Sequence, residues 1–143
     1  MEIAKRYSIA YKGLKNGHHE FDFKVDDAFF EAMENIDIKH RLHKIHNKRV
    51  ITNWFEQLGI ADKIDTRIDH MSYGQQQRVA LIRALCQPFD FLLLDEPISH
   101  LDDKNSDIMR DIVLGEVERQ GAALIATSIG KHMNIEYDKY LSL

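Results

Sequence analysis

Between Phe91 and Thr127 the chain runs from an apolar segment through an amphipathic stretch to a second apolar segment. No other feature narrows the possible folds as much. Phe91-Leu92-Leu93-Leu94 is continuously apolar, the form taken by a strand buried on both faces. Residues 103–119 place Ile108, Met109, Ile112, Val113 and Val117 at helical spacing, on one inward stripe. Asp103 stands near the start of that stretch, Arg119 near its end and Gly121 just beyond, where dipole and cap favour them. Ala122 to Thr127 is the second apolar segment. Strand, helix and strand within this length make a parallel βαβ unit with a right-handed crossover. The expected fold class is therefore α/β.

In such a sheet, ligands bind beyond the carboxyl ends of the strands. The first strand delivers Asp95 and Glu96 to that place, and Pro97 ends it. Adjacent carboxylates project differently, so one can hold Mg²⁺ while the other orients or deprotonates an attacking water. Taken alone, such a pair more often just closes a strand. Upstream, Ser72-Tyr73-Gly74-Gln75 opens a helix expected from about Gln75 to Cys86, with Val79, Ile82 and Leu85 on one face and Pro88 at its end. The first amides of a helix have no partner within it and attract phosphate. Gly74 permits close approach, and Ser72 is a good cap whose hydroxyl can also reach a phosphate oxygen. On those four residues alone, an ordinary N-cap is the plainer reading.

The two segments together, in this order and spacing, resemble the ATP-binding cassette (ABC) ATPases. Met71-Ser72-Tyr73-Gly74-Gln75 stands where that family carries its Leu-Ser-Gly-Gly-Gln signature, and Gln76 to Ala80 and Arg83-Ala84-Leu85 continue the pattern. Leu92 to Pro97 matches the Walker B strand, and Ser99-His100-Leu101-Asp102 matches the D-loop, where Ala is commoner than His. The resemblance implies a partial P-loop NTPase fold over residues 39–143. It implies ATP and Mg²⁺ as cofactors, with Asp95 holding the metal and Glu96 catalytic. Ser72, Gly74 and Gln75 would act on ATP held by a second ABC ATPase domain in a head-to-tail dimer, with Asp102 crossing the seam. A transmembrane transporter subunit would complete the machine and hold it at the cytoplasmic face.

Three family parts are missing from these residues. The P-loop pattern G-x-x-x-x-G-K-[ST], whose amides wrap phosphates and whose Lys neutralises them, does not occur, and Gly130-Lys131 lacks its context. No Q-loop glutamine precedes Gln57. After Thr127 the chain reads Ser128-Ile129-Gly130 in place of a switch histidine, and His132 comes a few residues late. Positioning and electrostatics supply nearly all phosphoryl-transfer catalysis, so no ATPase activity is expected from these residues alone. A sheet lacking its other strands is also expected to leave an edge and an apolar face open, favouring self-association.

The front segment reads differently. Residues 5–25 alternate as a hairpin through Tyr7, Ile9 and Tyr11, then Phe21, Phe23 and Val25, with Gly13–Gly17 as its loop and His18-His19 read as part of that exposed loop. A short helical turn is expected over Ala28 to Met33. Tyr11 to Leu14, His19-Glu20-Phe21 and Asp27 to Glu31 resemble YceD-like proteins, which are associated with accumulation of large-subunit ribosomal RNA. This implies a separate segment over residues 1–38 and a ribosome-linked role as an alternative. A third reading is a non-catalytic module that regulates a complete ATPase.

Residues 37–48 are polar and basic with little to bury, and His40, His43 and His46 read as a solvated helical face rather than a metal site. Val50, Ile51, Trp54, Phe55 and Leu58 define a helix capped by Gly59, with the two aromatics in the core. Tyr73 either stacks near a ligand or shields its turn. Tyr140 to Leu143 reads as a last strand. A net charge of −4 gives no reason to expect nucleic acid as a partner, and the single Cys86 suits a reducing cytoplasm. No apolar run approaches the roughly 18–20 residues that span a bilayer.

Overall fold

A computed structural model describes residues 9–12, 18–19 and 30–141. Strand β1 (Ile9–Lys12) pairs antiparallel with β2 (His18–His19), and β3 (Phe91–Asp95) pairs parallel with β4 (Ala123–Thr127). β1 also lies antiparallel along β3, with Ile9 opposite Leu94 and Lys12 opposite Phe91, so the sheet order is β2-β1-β3-β4. The expected βαβ unit is present and the fold is α/β. The antiparallel hairpin is present too, but His18-His19 are its second strand and not part of its loop. Gly13–Gly17 and Phe21 to Val25 lie outside the described residues.

Among the described residues, four α-helices join the sheet. Helix α1 spans Ala32–His43, and the amide of Glu31 donates to Glu34 Oε2 at its start. The helix runs well past Met33, through residues expected to have little to bury. It is held by its first half, where Ala32, Met33, Asn35 and Ile36 are buried, and stops at Lys44, whose φ of 52° is left-handed. Helix α2 (Lys48–Gln57) is capped by Asn47, which accepts from the Val50 amide at 3.0 Å, and buries Ile51, Trp54 and Phe55. Gly59, at φ +67°, turns the chain after it. Helix α3 (Tyr73–Leu85) begins two residues earlier than its apolar stripe implies, because Ser72 caps it. Helix α4 (Asp103–Gln120) runs from its Asp102 cap to left-handed Gly121.

These helices share one core with the sheet, including Ile36, Phe55, Leu58, Val79, Ile82, Leu85, Met109 and Val113. Each fully buried aliphatic or aromatic side chain of this kind contributes roughly 1.5–3 kcal/mol. From the sheet, Leu92 and Leu94 join that core while Phe91 and Leu93 are half-buried. On β4, Leu124 and Ala126 pack inward but Ile125 is 50% exposed. The expectation of strands buried on both faces therefore fails. Helical residues cover one face, and the other, carrying Ile125, meets solvent. Residues 140–141 form no strand, and Tyr140 and Leu141 are exposed.

The three histidines do not share a helical face, because α1 ends at His43. His43 is exposed, whereas the His46 side chain, in the loop before α2, is only 6% exposed and lies 2.9 Å from Glu116. Among the described residues no cluster of three His, Cys, Asp or Glu is arranged to hold a metal ion. No helix of the described residues is long and apolar enough to cross a membrane.

Candidate functional site

Ser72 and Gln75 form a reciprocal capping box. The Gln75 amide donates to Ser72 Oγ at 3.3 Å, and the Ser72 amide donates to Gln75 Oε1 at 2.9 Å. The Ser72 oxygen is thus an acceptor toward the helix, while its own hydroxyl hydrogen can still donate outward. Ser72 and Tyr73 are exposed, and Gly74 is half-buried. A Cβ on Gly74 would come 3.6 Å from Arg78 Nη2 and 3.8 Å from the His100 Cβ. The 99–102 turn therefore packs directly against this helix start.

Two side chains make that contact. The rings of Tyr73 and His100 meet edge to face at 4.8 Å. Tyr73 and His100 are two of the positions that differ from the family patterns these segments resemble, and the fold brings them together. Tyr73 thus packs on a neighbouring turn and still offers surface to solvent. Arg78, just behind, donates to Gly74 O and to Leu58 O. Burial lowers its pKa, and nearby Asp102 opposes that shift.

Asp102 caps α4, accepting from the Asn105 amide at 2.8 Å and from Asn105 Nδ2 at 3.0 Å. The Asn105 amide bond chiefly holds its carboxyl below the ordinary range, with smaller contributions from Lys131 and Lys104. The start of α3 and the start of α4 consequently meet at one surface. At the opposite end, Gln120 of α4 donates to Gln87 O just past α3, and accepts from the Phe89 amide. The positive ends of two helix dipoles converge beside Ser72, His100 and Asp102, where an anion is favoured.

Asp95 and Glu96 sit at the carboxyl end of β3, as expected. Asp95 pairs in register with Thr127, whose hydroxyl donates to Asp95 Oδ1. The Glu96 amide donates to Thr127 O at 3.1 Å, and Glu96 O accepts from the Ser99 amide. Glu96 has φ +49°, a left-handed conformation that non-glycine residues adopt only when the surroundings hold them there. One threonine therefore braces the Asp95 carboxylate through its hydroxyl and the Glu96 backbone through its carbonyl. Sequence patterns alone did not single it out, although parallel pairing of two five-residue strands places Thr127 beside Asp95.

The chain's one Gly-Lys pair is committed elsewhere. Gly130 has φ +90°, and Lys131 Nζ donates to Leu101 O at 3.0 Å and lies 2.9 Å from Asp103 Oδ1. This ammonium steadies the 99–102 turn and forms no phosphate cradle. His132 is hydrogen-bonded through Nδ1 to the Ser128 hydroxyl and is exposed. The residues present fit a triphosphate presented to the helix starts from outside. They do not fit one gripped at the strand end by this segment's own amides and lysine.

Comparison with known proteins decides the family. A family model described as "ABC transporter" matches residues 9–99. This chain belongs to the ABC transporter family. The match covers β1, β2 and α1 as well, so the ABC assignment extends through the front segment that carries the other resemblance. The phosphonates import ATP-binding protein PhnC 1 of Synechococcus sp. (strain JA-2-3B'a(2-13)) is 46% identical over 72 residues, covering 50% of this chain and 27% of that protein. The cytochrome c biogenesis ATP-binding export protein CcmA of Xylella fastidiosa (strain 9a5c) is 30% identical over 96 residues, 67% of this chain and 43% of that one. An ATP-binding subunit of an ABC transporter superposes with a TM-score of 0.62 at 15% identity, covering 71% of this ABC chain and 44% of that one. RNase-L Inhibitor gives 0.61 at 23% identity, covering 78% and 23%. These likenesses show the fold. The ABC chain spans less than half the length of the curated relatives it matches.

Proposed function

We propose that this chain contributes the signature face of a composite ATPase site to ATP held by a second ABC domain. The observation that carries this reading is the meeting of two helix starts, at Ser72 and Asp102, on one exposed surface, while Lys131 is tied to the adjoining turn. Ser72 would donate its hydroxyl hydrogen to the γ-phosphate, and the amides of the first turn would face it across Gly74. Gln75 would hold Ser72 in place through the capping box. Asp102 would reach across the head-to-tail seam. At the strand end, Asp95 would take a water or phosphate-bound Mg²⁺, and Glu96 would orient the attacking water for a nucleotide in its own domain. Bound Mg²⁺ would neutralise the charge that develops on the transferred phosphoryl group.

The parent function is ATP-driven transport with a transmembrane subunit, at whose cytoplasmic side the chain would sit. The named relatives are ATP-binding proteins of import and export systems, which supports the class and not a particular substrate. A boundary near residue 38 we read as one of sequence origin only, since α1 runs across it and β1 shares a sheet with β3.

The 143-residue polypeptide by itself is expected neither to turn over ATP nor to bind it tightly. Mg-ATP hydrolysis is measured for the purified polypeptide against a Glu96→Gln control, with calorimetry for affinity. Equal background rates and no resolvable heat are the expected results. Turnover above that control, or tight magnesium-dependent binding, refutes the in-trans reading.

A further inference from the structure

The elbow between α1 and α2 carries charge of one sign. From Ile38 to Phe55 the chain holds Lys39, Arg41, Lys44, Lys48 and Arg49 and no Asp or Glu, although its net charge is −4. Arg41, Leu42, His43 and Lys44 are all exposed, and so are Asn47, Lys48 and Arg49. Successive positions at the end of a helix with 3.6 residues per turn point to every side of it. A last turn exposed all round therefore stands clear of the body of the molecule.

The protrusion is held in shape from its base. Lys44, at φ 52°, ends α1 with its amide on His40 O at 2.8 Å. His40 Nε2 lies 2.8 Å from His46 O, and Asn47 caps α2. The buried His46 side chain anchors the loop on Glu116, near the end of α4.

Its tip is aliphatic. Leu42 is 70% exposed, and Ile38, one turn back on the same side of α1, is 40% exposed. Among the described residues, Arg41, Lys44, Lys48 and Arg49 are paired with no acidic side chain. Partial burial and, behind it, the Lys39 charge push the His43 imidazole down. At neutral pH the positive charge of the elbow therefore rests on its lysines and arginines.

An aliphatic tip ringed by cations is the composition of a segment that lies in a lipid headgroup layer. A nucleic acid would use the cations and leave Leu42 in water. A protein partner needs a hollow cut to the elbow, whereas a bilayer surface yields to a convex shape.

We propose that this elbow docks on an anionic lipid surface, with Arg41, Lys44, Lys48 and Arg49 on the headgroups and Leu42 at the acyl boundary. Such attraction falls off within a Debye length, so the local cluster governs it and not the net charge of the chain. The elbow is anchored near the end of α4, away from the Asp102 cap at its start. Lipid contact and the signature face are thus separate surfaces.

Flotation of the 143-residue chain at neutral pH tests this, with vesicles of phosphatidylcholine alone or mixed equally with phosphatidylglycerol. The chain is expected to float with the anionic vesicles only and to be released by high salt. Arg41→Gln and Lys48→Gln should each weaken partitioning roughly five-fold. Leu42→Gln should weaken it on the order of ten-fold. Lys104→Gln makes the same charge change at an exposed position in the first turn of α4 and should leave partitioning unaltered. All four positions are exposed, and circular dichroism verifies that the variants fold. Absence of flotation, equal flotation with neutral vesicles, an unaffected Leu42→Gln, or an equal loss in Lys104→Gln overturns the proposal. Retention on immobilised poly-glutamate without flotation overturns it too, and assigns the elbow to an acidic protein segment.

Discussion

At the head of α3 and α4, Ser72, Tyr73, His100 and Asp102 face solvent; at the foot, Gln87, Glu116 and the incoming His46 side chain are buried. Both groups are polar, and the same two helices carry them. Asp102 and Glu116 even share a direction of shift, each held below the ordinary carboxylate range. The causes differ. An exposed backbone amide does it for Asp102, whereas buried side-chain donors overcome desolvation for Glu116. The foot is polar chemistry consumed by the fold, its donors turned onto one buried carboxylate. The head is polar chemistry left facing outward, with two helix starts and a hydroxyl hydrogen still to place. Polarity alone does not identify a site; unused hydrogen-bonding capacity at a surface does.

The comparison breaks most easily at the foot. Glu116 has its ordinary carboxyl near 4.5 and a folded value of about 2. Its contribution is therefore complete above about 4.5 and disappears as pH falls through about 2. On this basis Glu116→Gln should lower unfolding stability at pH 6 by on the order of 3 kcal/mol. The gap between wild type and variant should narrow as pH drops from 4.5 toward 2. Urea unfolding across that range checks it, and a gap independent of pH would show that the carboxylate is not the stabilising feature.

At the head the effects on stability are smaller, because these groups serve the fold less. Ser72→Ala removes one half of the capping box and should cost about 1 kcal/mol in the same assay. A loss as large as that at Glu116 would mean the head is also structural. The smallest effect concerns Glu96, the strained residue at the strand end. Glu96→Gly relieves the left-handed backbone at φ +49° and should raise stability by about 0.5 kcal/mol after the entropy of glycine is counted. A fall in the urea midpoint would show that the Glu96 side chain stabilises the turn more than its conformation strains it.

Local motifs were the legible part. The Ser72 cap, the apolar run ending at Asp95, the Asp102 cap and the Gly121 stop all depend on neighbours within a few residues, so pattern and spacing reveal them. The foot was not legible. His40, His43 and His46 carry helical spacing, but α1 stops at Lys44, and the partner of His46 lies 70 residues away. Burial of β3 and β4 misled in a similar way. An apolar run states that a strand can be covered on both sides, not that this segment covers both.

Sequence alone determined the elements of the βαβ unit, the family pattern from Met71 to Asp102 and the lack of a phosphate cradle in these residues, because each is a matter of local periodicity or residue type. Tertiary structure alone decided that Tyr73 meets His100, that Thr127 braces the Asp95 carboxylate and the Glu96 backbone, and that Lys131 is bound to the 99–102 turn. Those are contacts between residues 27 or more positions apart, or across a strand register. They exist only once burial of the apolar stripes has fixed where each helix and strand ends in space.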